Sequence, residues 1–233
     1  MASICHVGTA TARGSLSSYE DWVLDELEAA GHTVGAYKAY ADAAGAYGCD
    51  IVVIHARGAH NLGSTSWNNP GVPMVVMGRA DVMVDFGYGT TVSSTSGTTI
   101  YYNDSSKVTW TGQTVGTSVD INSVASTLFR VTAGFDADGV VTGKHTNSSG
   151  GECVIVYEAG DVVDGVTLTA PAVAFCIDSI YWQAGVADAD GEQLLADIAT
   201  WLAASGSPPS PRMLDRRRSR RAGRTPIIRA SHY

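Results

Sequence analysis

Two histidines, His55 and His60, bracket the short stretch HARGAH, and two carboxylates, Asp81 and Asp85, follow the next apolar run. Imidazole and carboxylate are donors that divalent metals take, so such a set could converge on an ion. Spacing across a loop fixes little geometry. A histidine packed at a strand end beside a polar loop accounts for the same residues, and no metal is assigned. Arg57 and Arg79 lie close to these groups in the chain, and inward-folded loops would make them an anion pocket. Simple pairing with Asp81 or Asp85 is the competing reading. His55, Arg57, His60, Arg79 and Asp81 are therefore taken together as a possible ligand edge, with no catalytic residue and no cofactor assigned.

Other motifs carry less. GTATARGS has five residues between Gly8 and Gly14 and no lysine after them, so it is neither a phosphate-cradling loop nor a dinucleotide fingerprint. DADG occurs at 136–139 and 188–191 without the later ligands of a calcium loop, and a turn and a helix cap explain both. Tyr101, Tyr102 and Trp110 would make either a sugar- or protein-binding face or cross-strand pairs that stabilise a small sheet. Cys5, Cys49, Cys153 and Cys176 lie in or beside apolar runs and form no CxxC pair. Buried free thiols in a reducing compartment are expected.

The elements that must position these groups alternate between strand and helix. SICHVGT (3–9) reads as a strand, and SLSSYEDWVLDELEAAGH (15–32) as a helix capped by Ser17 or Ser18 and ended by Gly31. TVGAYKAY, CDIVVIHA (49–56) and GVPMVVMG (71–78) follow as strands, the last two apolar enough for a parallel sheet covered on both faces. From Gly89 to about Gly151 the texture turns to Thr, Ser, Gly and Val, a β-rich insertion over about 90–150. GECVIVYEAG and APAVAFCID return as buried strands, and 190–205 closes the body as a helix capped by Asp190. The alternation predicts an α/β fold with a mainly parallel central sheet of at least five strands and helices on both faces.

The stretches LEAAGHTV, GCDIVVIHA, GVPMVVMG, VTAGFDADGVV, CVIVYEAGDVVDGVTLTAPAVAFCI and DGEQLLADIATWLA resemble class I glutamine-amidotransferase-like domains, in particular the ThuA-like branch. The resemblance spans roughly residues 3–205 and implies a flavodoxin-like three-layer sandwich. Active members of that wider family carry a cysteine on a strained strand-to-helix turn and a His-x-Glu near the C-terminus. Here Arg79 and Ala80 occupy the turn, and AFCIDSIYW supplies no His-x-Glu. The resemblance therefore implies the fold without the catalytic triad.

With 233 residues and 45% hydrophobic content, the chain can bury a sizeable core. Its net charge of −8 is divided. Residues 206–233 carry eight arginines and one acid, Asp215, which leaves seven basic and 22 acidic residues, a net of −15, in the body. GSPPSP (206–211) breaks the closing helix and starts an extended linker, so the chain divides into a body, 1–205, and a Pro/Arg-rich docking tail, 206–233. The tail has no apolar periodicity with which to pack a core. Arg212, Arg216, Arg217, Arg218, Arg220, Arg221, Arg224 and Arg229 offer bidentate contacts to acidic groups, and Ile227 and Ile228 lie in a β-prone piece able to add a strand to another subunit.

A body without a nucleophile on a docking tail fits a non-enzymatic accessory protein of a larger assembly. Ser/Thr/Gly/Ala-rich strands and arginine-rich basicity suggest a bacteriophage virion, as capsid decoration or tail component, with other protein subunits as partners. A hydrolase or carbohydrate-binding module at the sheet edge is the alternative, and a nucleic-acid-binding tail on an inert body the second. No signal peptide is expected, since MASICHVGTATARG lacks a basic region followed by an apolar one, and no apolar run approaches membrane-spanning length.

Overall fold

The computed structural model describes residues 1–8, 10–39, 48–56, 71–78, 80–145, 147, 149–177 and 182–206. Strand β1 (Ser3–Gly8) leads into helix α1 (Ser18–Ala29). The helix begins where it does because Ser17 and Glu20 form a capping box: the Ser17 N–H and hydroxyl both donate to Glu20 Oε2, at 2.9 and 2.6 Å. Gly31, at φ +91°, turns the chain out of the helix into β2 (Thr33–Ala39). Val23, Leu24 and Leu27 form the buried face of α1.

β1 lies between β2 and β3 (Ile51–Ala56), parallel to both. β4 (Met74–Gly78) and β13 (Ala172–Phe175) extend the parallel run in the order β2-β1-β3-β4-β13. Ile51, Val52, Val53 and Ile54 are all fully buried, as expected of parallel strands covered on both faces. Ile51 and Val53 face α1 and α3 (Ala189–Ser205). Val52 and Ile54 face the other way, toward Val82 and Met83 of the short helix α2 (Ala80–Asp85).

The β-rich stretch is a continuation of this sheet. β5 (Thr91–Gly97), β6 (Thr99–Tyr102), β7 (Ser118–Asp120), β8 (Ser126–Ala133) and β9 (Val140–His145) all join it through β10 (Glu152–Tyr157), which runs antiparallel to β13. The order continues β13-β10-β9-β6-β7, with β8 pairing β10 and β5 pairing β8. Ile100, Val119 and Ile121 share one buried cluster with Leu194 and Ile198 of α3. β11 (Val162–Val163) and β12 (Val166–Thr167) form a separate small hairpin.

Two local expectations change. Asp188, not Asp190, caps α3, its side chain accepting from the Asp190 N–H at 3.4 Å. KVTW (107–110), within the stretch expected to be β-rich and read as a short strand, forms none; Trp110 instead stacks on Tyr102 with ring centroids 4.3 Å apart. Among the described residues no helix is long and apolar enough to cross a membrane. Residues 207–233, and with them every arginine of the tail, Ile227 and Ile228, lie outside the described residues.

Candidate functional site

The chain runs from β1 through α1 to β2 and then crosses back, so that β3 lies on the opposite side of β1. In open α/β sheets ligands bind at such a switch point, beyond the carboxyl ends of the strands. Three ionisable side chains meet beside it. His6 comes from β1, His55 from β3 and Glu20 from the first turn of α1, and one donor atom of each lies within 4.8 Å of the other two.

Strand alternation brings the histidines together. His6 follows Ile4 and His55 follows Ile51 and Val53 on the face covered by α1, and β1 and β3 pair with His6 opposite Val53. The imidazole centroids are 6.2 Å apart, with Tyr19 stacked on His55 at 6.0 Å and Tyr37 tilted against His6 at 6.3 Å. The capping box that starts α1 fixes Glu20 through Oε2. Its position near the helix N-terminus suits a carboxylate.

All three residues are fully buried. Both ring nitrogens of His6 are without a hydrogen-bond partner among the described residues. Burial pushes its pKa down to about 4, with Glu20 opposing and Arg13 assisting, so the ring is neutral at physiological pH. Gly8 completes the wall. A Cβ there would overlap Glu20 Oε1 and His6 Cε1 and stand 3.1 Å from His6 Nε2. Outside the cluster, Arg13 fastens the segment between β1 and α1 to the helix. Its guanidinium pairs with Asp21 at 2.7 Å, with Glu28 at 2.8 Å and with Asp25.

Of the ligand edge expected from sequence, His55 is the one member whose side chain is among those described. His55 belongs to the cluster, but its partners are His6 and Glu20. Asp81 and Asp85 fall in α2 (Ala80–Asp85), whose Val82 and Met83 pack on the face of the sheet opposite His55. Arg57, His60 and Arg79 lie outside the described residues, as does Asp178. His6 and Glu20 were legible only as a histidine interrupting an apolar strand and as an acid at the third position of a helix.

The remaining motifs have structural roles. Asp136 and Asp138 accept from the backbone N–H groups of Asp164 and Val162, at 2.6 and 3.0 Å, which ties the 136–139 turn to the β11–β12 hairpin. Trp110 and Tyr102 are each 1% exposed, so the aromatic pair is core. Cys5, Cys153 and Cys176 are buried free thiols and Cys49 is half-buried. Burial, with Glu152 adding to it, pushes the Cys176 thiol up to about 12, and burial also raises Cys153 well above its ordinary value.

No protein-family model matches the chain, and no curated protein matches it.

Proposed function

We propose that the chain is a non-catalytic accessory subunit of a larger assembly, an acidic α/β body attached through a basic arm. The observation that carries this reading is the division of charge, −15 in residues 1–205 against +7 in residues 206–233. Surface ion pairs contribute only about 0–1 kcal/mol each and are screened by salt, so the arm's arginines gain more from an acidic partner than from their own body. The raised thiols of Cys153 and Cys176 speak against either of these two as a cysteine nucleophile. The strand order β2-β1-β3-β4-β13 supports a flavodoxin-like sandwich, and with it an amidotransferase-like scaffold that lacks the triad. β2 and β5 each pair on one side only among the described residues, and such edges accept an added strand of the kind TPIIRAS offers. The setting we assign on composition is a bacteriophage virion, as capsid decoration or tail component.

The test is co-sedimentation of full-length protein and a 1–206 truncation with assembled particles. The truncation should keep its melting midpoint and fail to sediment. Sedimentation at full occupancy by the truncated chain would sink the docking reading. If the arm's partner is instead nucleic acid, full-length protein should bind duplex DNA with a log–log salt slope of magnitude up to about 7 for eight arginines.

A further inference from the structure

We propose that His6, Glu20 and His55 form a binding site for a divalent first-row transition-metal ion, zinc in the first instance. This goes beyond the docking reading and does not depend on it.

Two imidazoles and one carboxylate are a donor set that zinc and its neighbours accept, and three protein donors leave a fourth position for water. A tetrahedral zinc ion holds its donors about 3.4 Å apart. The three donor atoms here lie within 4.8 Å of one another, so side-chain adjustments of about an ångström close the set. The donors come from three elements, β1, α1 and β3, each held by its own backbone pairing or capping.

Three observations converge on an ion. The residues are fully buried, where polar groups are rarely left without partners. Neither ring nitrogen of His6 has a hydrogen-bond partner among the described residues, and a cation takes the lone pair of the unprotonated one. Gly8 leaves open the space beside His6 Nε2 and Glu20 Oε1 that any other side chain would occupy. In this enclosed setting the ion joins the first turn of α1 to two strands of the sheet.

The experiment uses full-length, chelator-treated protein. Cobalt(II) should bind with one-to-one stoichiometry and give visible d–d absorption, zinc should displace it, and zinc should raise the melting midpoint. Glu20→Gln keeps a side chain that can accept from Ser17, so the capping box and circular dichroism should persist. Its cobalt affinity should fall about 100-fold or more, since even outer-shell changes cost 10–100-fold. His55→Gln should lose affinity similarly, whereas His60→Ala should bind as the wild type does.

Nitrogen-15 NMR of the wild type provides a readout independent of the variants: zinc should shift ring nitrogens of His6 and His55. Absence of uptake by the wild type, uptake undiminished in both Glu20→Gln and His55→Gln, loss in His60→Ala, or shifts confined to other histidines would each overturn the proposal.

Discussion

Gly8 and Glu20 are in such close apposition that a methyl group on Gly8 would overlap the carboxylate oxygen Oε1. No left-handed backbone angle calls for glycine at this position, so the constraint is space alone. Gly8→Ala must therefore displace Glu20 or His6, and should cost about 1–3 kcal/mol in urea unfolding. Gly14 is the control, since a Cβ there meets nothing within 4 Å. Gly14→Ala should be neutral or stabilising by up to about 1 kcal/mol. Equal costs at the two sites would refute the close apposition.

The aromatic pair Tyr102 and Trp110 gives a second prediction. The rings are parallel within 5°, and the Tyr102 hydroxyl accepts from the Trp110 backbone N–H at 3.0 Å. Trp110→Ala should cost about 3–5 kcal/mol, as for other buried large aromatics. Tyr101, half-exposed on the neighbouring position of β6, should cost about 1 kcal/mol or less when replaced by alanine. A Trp110→Ala protein of unchanged stability would point back to a binding face.

How much of this was legible in the sequence depends on how local the cause is. Ile51–Ile54 reads as a doubly covered strand because every side chain is apolar, and α1 reads as a helix because Ser17, Glu20 and Gly31 mark its ends within the segment itself. The pairing of β6, β7 and β9 into the central sheet was not legible, since alternating Thr and Val suit a separate sheet equally well. The site depended on the same missing knowledge. His55 was visible beside His60 in the chain, but its spatial neighbours His6 and Glu20 are set by β1 lying next to β3. Strand order, not spacing along the chain, brings His6 and Glu20 to His55.

The thiols should separate by exposure. Cys49 is half-buried, its thiol raised first by its hydrogen bond with Cys5 and then by burial, whereas Cys153 and Cys176 are enclosed and raised chiefly by burial, so access rather than thiolate character separates them. Iodoacetamide on native protein at pH 8 should label Cys49 well before Cys153 or Cys176, as read by peptide mass mapping. Denaturant should equalise them. Cys176→Ala should leave glutaminase and esterase assays at background. A thiol-dependent burst of product that the Cys176→Ala variant lacks would contradict the accessory reading.

Acid should destabilise the protein through two histidines away from the proposed site. His145 is buried at the end of β9, and its pKa is lowered first by desolvation and then by Arg130, whose Nη1 lies 3.4 Å from its Nδ1. His32 is lowered by burial first and then by the N-terminal amino group. Both therefore stay neutral in the folded state at pH values where the unfolded chain, with the ordinary value of about 6.5, has taken up a proton. The unfolded state then binds more protons, so the stability these residues contribute is complete above about pH 6.5 and falls as pH drops toward their folded values. Asp50, held low by the Ser3 N–H and hydroxyl at 2.8 and 2.9 Å, keeps its full stabilisation above its ordinary value of 3.8 and loses it only below, in a separate window. Urea midpoints measured in zinc-free buffer from pH 7.5 to 5 should fall steadily, with His6 contributing the same slope to every protein compared. His145→Gln and His32→Gln should each flatten that fall, because glutamine cannot take up the proton. Midpoints that rise toward pH 5, or variants with the wild-type slope, would show that these histidines are already charged in the folded protein.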